Sequence, residues 1–513
     1  MSFARRFLQM FRMACAASLL ALVGCAQLPP LDGRTESRLD PDTAGTRLGR
    51  AVQAAVAARG PGLSGVFLLD QGRDAFATRM LLAEAAERTL DVQYYIWRDD
   101  MSGRLLLQAL RRAAERGVRV RLLLDDLGSA GLDALLAALD AHPQIEVRLF
   151  NPFVQRRFKP LGFVTDFMRA NRRMHNKSFT ADNQATVVGG RNVGDAYFGA
   201  EVDTLFVDLD VLAIGPVVQA VSEDFDRYWA SASTYPVALL FGAGDAAPPQ
   251  DLAPPPERTR QYLDAVGRSP FVADLIAARL PLHWAPVELV SDDPAKGLGE
   301  AADADLMFAR MARLVGAPAQ TLKLVSPYFV PTARGTALFE QLAARGVEVA
   351  ILTNALEATD VAVVHAGYLP WRKPLLRAGV QLYEMRREAD IQAPDAKLRL
   401  GSSSAESLHA KTFVVDHRQL FVGSFNFDPR SARLNTELGF VIDSPALAAQ
   451  LDRQLREKAR QRGYQLRLSP QDRLQWLDGR SDPPLVLDEE PGTSLWLRLG
   501  VRVLSWLPID WLL

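Results

Sequence analysis

Cysteine is almost missing: the 513 residues include only Cys15 and Cys25, both near the N-terminus. Neither a disulfide framework nor a cysteine-bound zinc cluster can be built from that pair. Histidine is nearly as scarce, at six residues. No sign of charge is in excess, since 59 Lys and Arg face 60 Asp and Glu for a formal net charge of −1. A chain so balanced has no global basic field to draw in a nucleic acid. The apolar run ACAASLLALV (14–23) is too short to span a bilayer comfortably. What remains, 48% hydrophobic and 23% charged, reads as globular and leaves room for two to four domains.

Arg5, Arg6 and Arg12 precede that short run, which gives the charge and length of a secretory signal. The next residues, LVGC (22–25), resemble a bacterial lipoprotein processing box. That resemblance implies removal of 1–24 as a signal peptide and lipid attached at Cys25, with several acyl chains giving a firm anchor. Residues 25–60 are then expected to form a lipidated tether with some helix.

Beyond the tether, LDVQYYIW (90–97), SGRLLLQALRRAAERG (102–117) and VRVRLLLDD (118–126) read as strand, helix and strand. LKLVSPYFVP (322–331), GTALFEQLAARG (335–346) and VEVAILTN (347–354) repeat the order, and even the joints match, ERGVRV against ARGVEV. Strand–helix–strand units point to an α/β fold with a parallel layer. The repetition points to one domain duplicated. The expected division is a first domain at 61–244, a Pro-rich linker at 245–262 containing DAAPPQDLAPPPE, a second domain at 263–475, and a tail at 476–513.

Within the copies a second pattern recurs. MHNKSFTAD (174–182) and LHAKTFVVD (408–416) align His175, Lys177 and Asp182 with His409, Lys411 and Asp416. Gly189 and Gly423 lie 14 residues after their histidines, Asn192 and Asn426 17 after, and Asp203 and Glu437 28 after. On a strand, residues i and i+2 share a face, so each histidine points with its lysine while Phe179 and Phe413 continue into the core. Asp182 and Asp416 fall at the following turns, where a carboxylate can accept backbone N–H bonds. Neutral imidazole is a nucleophile, and lysine supplies a point charge for a phosphate oxygen. Two His/Lys pairs and two asparagine amides would surround one phosphodiester with donors. Two histidines would give it a nucleophile on one ester side and an acid on the other.

This duplicated H-x-K-x4-D set resembles that of the phospholipase D superfamily. The resemblance implies two pseudo-twofold-related α/β sandwich domains with mixed β-sheets flanked by helices, and a phosphohistidine intermediate. It implies the six residues His175, Lys177, Asp182, His409, Lys411 and Asp416 as the catalytic set, without metal or other cofactor. Asn192 and Asn426 would bind phosphate, and Asp203 and Glu437 would orient the histidines. The stretches 90–110, 175–198, SPYFVPT (326–332) and GVQLYEM (379–385) are similar to bacterial cardiolipin synthases of that superfamily. That similarity implies phosphatidyl transfer between phosphatidylglycerol and a second phospholipid. Hydrolytic phospholipase D, a periplasmic nuclease and an inactive lipid-binding lipoprotein are the alternative readings.

Three segments bear on the substrate. Residues 150–177 mix Phe150, Phe153, Phe158, Phe163 and Phe167 with six basic residues, which suits acyl chains and lipid phosphate, or stacked single strands, or a basic loop over the core. The C-terminal SLWLRLGVRVLSWLPIDWLL (494–513) reads either as an interfacial helix with Trp496, Trp506 and Trp511 near headgroups or as a helix docked on its own core. His365 and Tyr368 could line a substrate channel. His142 and His417 read as surface turns, and His283 as packing. Together with the lipid anchor, these features place the protein at a bacterial envelope membrane, facing the periplasm, with phospholipid rather than nucleic acid as partner.

Overall fold

A computed structural model describes residues 28–156, 159, 162–200, 204–241, 256–389, 405–508 and 512. Among them, two large mixed sheets of nine and ten strands dominate, each flanked by helices, with a further three-stranded sheet. In the first sheet the strands Thr89–Tyr94 and Arg119–Asp125 run parallel, joined by the helix Met101–Glu115. Asp100 starts that helix by accepting from the Gly103 N–H at 3.0 Å, and Leu106, Leu110 and Ala113 bury its inner face. Gly117 ends the turn at φ 93°, where a side chain would be strained. The second sheet repeats the unit with Thr321–Val325, Thr332–Ala344 and Glu348–Asn354, again parallel.

Beside the first strand of each unit lies an antiparallel hairpin. Ser178–Ala181 pairs with Thr89–Tyr94 and with Ala185–Gly189, and Thr412–Val415 pairs with Thr321–Val325 and with Gln419–Gly423. Both hairpins close on two residues of positive φ, Asp182–Asn183 and Asp416–His417, with the Gln184 and Arg418 N–H groups donating to the Ala181 and Val415 carbonyls. That is the type I′ turn, whose twist matches the strands it joins and which Asp and Asn tolerate.

The halves pack face to face. One apolar cluster runs through both sheets, joining Val66, Val188 and Val211 of the first to Val325, Val414 and Phe440 of the second. Backbone bonds cross the same interface, because Ala405–Leu408 pairs in parallel with Thr204–Val207.

Three boundaries differ from the sequence expectation. Residues 245–255 of the linker lie outside the described residues, but Glu257–Gly267 is a helix. Its Tyr262 and Val266, with Phe271 and Val272 of the next helix, fill the first core, and His283–Ala285 adds an antiparallel strand to the first sheet. Residues 257–285 therefore belong with the first half, because their apolar side chains are satisfied there. The second sheet also runs past 475, with Leu474–Asp478 and Leu485–Leu487 at its end. Finally, much of the tether is docked. Arg34 donates to the Ala230 and Ser231 carbonyls, Arg121 to the Ser37 carbonyl, and Arg47–Ala57 is a helix with Val52 buried. Cys25 and the signal segment lie outside the described residues.

Candidate active site

Each motif histidine sits just before its hairpin strand and is fastened to the opposite half. The His175 N–H donates to the Thr436 carbonyl at 2.9 Å, and the Thr436 N–H returns a bond to Arg173. The His409 N–H donates to the Val207 carbonyl at 2.8 Å. The residue after each of those acceptors is a carboxylate. Glu437 Oε2 lies 2.8 Å from His175 Nδ1, and Asp208 Oδ2 lies 2.5 Å from His409 Nδ1. The site is thus built crosswise, each imidazole held by an acid of the other half. An ionised carboxylate can only accept, so each holds a proton on the Nδ1 beside it and leaves Nε2 for the reaction.

The carboxylate beside His409 corrects the expectation for Asp203, which lies outside the described residues. Counting forward from the histidines missed Asp208, because the first copy has five extra residues before this point. Counting back from the helix-starting prolines finds it: Asp208 is eight residues before Pro216 and Glu437 eight before Pro445.

All four basic side chains are buried. Lys177 donates to the His175 carbonyl at 2.5 Å, and Lys411 donates to the His409 carbonyl and lies 2.9 Å from His409 Nδ1. Burial lowers the Lys177 ammonium to about 7 and that of Lys411 to about 8. Burial, reinforced by Lys177, Lys411 and His409, holds His175 well below the usual imidazole range. Burial and Lys411 also lower His409, against the pull of Asp208. The acids differ. Burial raises Glu437 to about 7, whereas Asp208, despite burial, is held below its ordinary value by His409 and Lys411. Each imidazole also meets an aromatic edge, Tyr95 against His175 at 4.9 Å and Tyr197 against His409 at 5.3 Å between centroids. Sequence reasoning passed over both tyrosines, which carry no motif spacing.

Behind His175, Ser424 Oγ donates to Glu437 Oε2 at 2.5 Å, fixing that carboxylate from the small-residue loop of the second half. The approach of this loop to its neighbour strand explains the paired glycines. A Cβ on Gly423 would fall 2.5 Å from the Leu438 carbonyl oxygen, and one on Gly189 2.2 Å from Asp210 Oδ1. Asn192 accepts from the Ile96 N–H at 3.2 Å and donates to Tyr197 Oη at 3.1 Å. Asn426 is buried, and its Oδ1 has no partner among the described residues.

Asp182 and Asp416 sit at the hairpin turns, where the sequence reading has them, and do not meet the imidazoles. Each accepts three backbone N–H groups, those of Glu87, Arg88 and Thr89 and those of Ala319, Gln320 and Thr321. They stand seven residues along an extended chain from their histidines, roughly 23 Å at strand rise. Their work is to lock the hairpin turn to the start of the neighbouring strand. His365 and Tyr368 are buried beneath the second sheet, Tyr368 packing on Phe329 and under Arg372, which pairs with Glu384 at 3.2 Å and Glu490 at 2.5 Å. Burial lowers His365 to about 3. Both residues are core, not channel lining.

Arg157 and Phe158 lie outside the described residues, and other basic residues of 150–177 are spent internally. Arg173 donates to the Asn151 carbonyl and pairs with Asp125, and Arg156 pairs with Asp126 and Asp133. Phe150 and Phe153 are buried, while Val164, Phe167 and Met168 are exposed. The C-terminal helix Leu495–Leu504 docks through Val501 onto Leu356 and Ala366, yet leaves Trp496 81% and Trp506 74% exposed. Trp511 lies outside the described residues. Among the described residues no helix is long and apolar enough to cross a membrane.

Paired sandwich domains with two crosswise-held His/Lys sets define a duplicated enzyme of the phospholipase D type. The cardiolipin synthase, PLD-like domain family matches twice, at 80–229 and 311–459. The chain belongs to that family. It is 51% identical to cardiolipin synthase C of Escherichia coli over 88% of this chain and 97% of that one. It is 27% identical to cardiolipin synthase A of Pseudomonas syringae, over 76% and 67%. Phosphatidylserine synthase of Haemophilus influenzae shares the fold, with a TM-score of 0.57 at 14% identity, covering 91% of this chain and all of the other.

Proposed function

We propose that this protein makes cardiolipin by phosphatidyl transfer from one phospholipid to phosphatidylglycerol. The observation that carries the reading is the crosswise pair His175–Glu437 and His409–Asp208, with both lysines beside it. Membership of the family and the likeness to cardiolipin synthases support the substrate class.

In the first step Nε2 of His175 attacks phosphorus, forming a P–N bond as the P–O bond to the headgroup breaks. His409 gives the departing oxygen its proton. In the second step the terminal hydroxyl of phosphatidylglycerol loses its proton to His409 and its oxygen attacks phosphorus. The P–N bond breaks, its electrons return to Nε2, and cardiolipin leaves. The order of roles follows the charges around each ring. Asp208 stays ionised and can support an imidazolium on His409, whereas burial and two neighbouring ammonium groups keep His175 neutral. Lys177, Lys411 and the amide of Asn426 hold the phosphate oxygens, and the Asn192 amide positions Tyr197 against His409.

The chain acts at the bacterial envelope, anchored by lipid on Cys25 and facing the periplasm. Exposed Trp496 and Trp506 meet the headgroup layer. Purified protein is given phosphatidylglycerol with and without phosphatidylethanolamine, and the lipids are separated. Cardiolipin supports the proposal. Phosphatidic acid as the sole product would favour the hydrolase, and unchanged lipids would reject both.

A further inference from the structure

The duplication places a cavity in the same position twice, once in each half. In each, the first strand of the repeated unit runs out toward the start of its helix, at Met101–Glu115 and Thr332–Ala344. Equivalence is set by two parallel bridges, Trp97 with Val193 and Phe329 with Phe427, each one residue beyond an asparagine of the pair Asn192 and Asn426. Arg98 therefore corresponds to Val330. The cavity beside the first helix is about 710 Å³ and walled by Arg98, Asp99, Asp100 and Asp195, with Tyr95 leading in to His175. The one beside the second helix is about 630 Å³ and walled by Leu306, Phe308, Val330, Leu338, Phe425 and Phe427. One scaffold thus carries a polar pocket and an apolar pocket at matching places. Both have the size of pockets that hold a small organic ligand.

We infer that the apolar pocket of the second half takes an acyl chain of the phosphatidyl group whose phosphorus lies between His175 and His409. This rests on the phosphatidyl-transfer reading above. A phospholipid phosphodiester has one apolar arm and one polar arm, and the two pockets differ in that same sense. The apolar pocket and the site share one loop: Ser424 binds Glu437 and Asn426 is buried, while the alternate residues Phe425 and Phe427 form the pocket wall. Phe308 and Leu338 are 38% and 40% exposed, so the mouth is open on its outer side. Gly335 keeps the pocket floor low, since a Cβ there would lie 3.1 Å from Phe427 Cε1.

The test uses full-length wild-type protein in mixed micelles of phosphatidylglycerol and phosphatidylethanolamine, with a diazirine midway along one acyl chain of both lipids. After illumination, labelled peptides are mapped by mass spectrometry. The inference expects label in 306–309, 330–341 or 425–432, and label confined to 95–100, 127–130 or 195–196 would overturn it. Label restricted to the C-terminal helix would overturn it equally. Turnover of the same probe is followed in parallel. If the probe is not converted, the phosphatidyl-transfer reading falls and the acyl pocket with it; if it is converted but labels elsewhere, only the pocket falls. As a second measurement, Leu338→Asp should lower the ratio of rates on dioleoyl over dihexanoyl phosphatidylglycerol at least tenfold. An unchanged ratio in the folded variant would count against the assignment.

Discussion

Replacing Asp208 by Asn removes one charge and keeps the shape of the side chain, so it isolates what the carboxylate does for His409. The two groups are both buried and 2.5 Å apart. A hydrogen bond to a charged group is worth about 1.5–3 kcal/mol. Once His409 must carry a proton in turnover, losing the Asp208 counter-charge on its Nδ1 side costs more, about 3–5 kcal/mol for a broken buried pair. At 1.4 kcal/mol per decade, kcat should fall by roughly two to three and a half orders of magnitude. Asn can also offer Nδ1 an N–H, which would stabilise the wrong tautomer and moves the estimate toward its upper end, as a triad Asp→Asn change does at about 10⁴. The assay is radiolabelled phosphatidylglycerol turnover, read beside circular dichroism of the same preparation. Asp203→Asn, made in parallel, should stay within about threefold of the parent. A folded Asp208→Asn protein with parental kcat, or an Asp203→Asn protein that loses it, would refute the crosswise assignment.

Asp182→Ala should cost about 2–4 kcal/mol of stability, because three backbone donors lose one acceptor, and should be seen as an earlier urea midpoint. Rates per folded molecule should nonetheless stay within about threefold at low temperature. His365→Ala should likewise lower the thermal midpoint and leave KM for phosphatidylglycerol unchanged, whereas a raised KM with an unchanged midpoint would return it to the substrate path. Lysines must be protonated to hold phosphate oxygens, and Lys177 and Lys411 are lowered by burial to about 7 and about 8. A profile of kcat/KM should therefore fall as pH rises through 7 to 8.5, and a plateau to pH 10 would show that ordinary ammonium groups hold the phosphate. Since the charge on the phosphate is met by ammonium and imidazole groups, EDTA should leave turnover within about twofold; its loss on EDTA and return with a divalent cation would contradict that.

Much of this architecture can be read from spacing. The strand–helix–strand repeat, the His and Lys on one strand face, and the carboxylate turns after them all follow from local periodicity and from the φ tolerance of Asp. The misplaced features depend on packing that has no local signal. Asp208 is found only when the register is counted from the far helix, since the extra residues of the first copy fall between His175 and its equivalent of Glu437. The helices after 257 join the first core because Tyr262 and Phe271 find space there, although a proline-rich stretch separates them from it in sequence. His365 and Tyr368 look like site residues by type, but an Arg–Glu network and an aromatic core enclose them. The tyrosines against the imidazoles, Tyr95 just past a strand and Tyr197 in a short helix, carry no local sign of the ring each will meet.

The exchange of acids between halves bears on how such a chain could diverge. Each motif histidine takes its carboxylate from the other half, so a half acting alone would lack both pairs. Two identical subunits could build the same crossed arrangement, but every change would then appear on both sides of the phosphorus. Covalent fusion frees each side to drift, and here Glu has come to stand opposite Asp and a greasy wall opposite a charged one. Handedness at the reaction centre is thereby a property that a single gene product can inherit and refine.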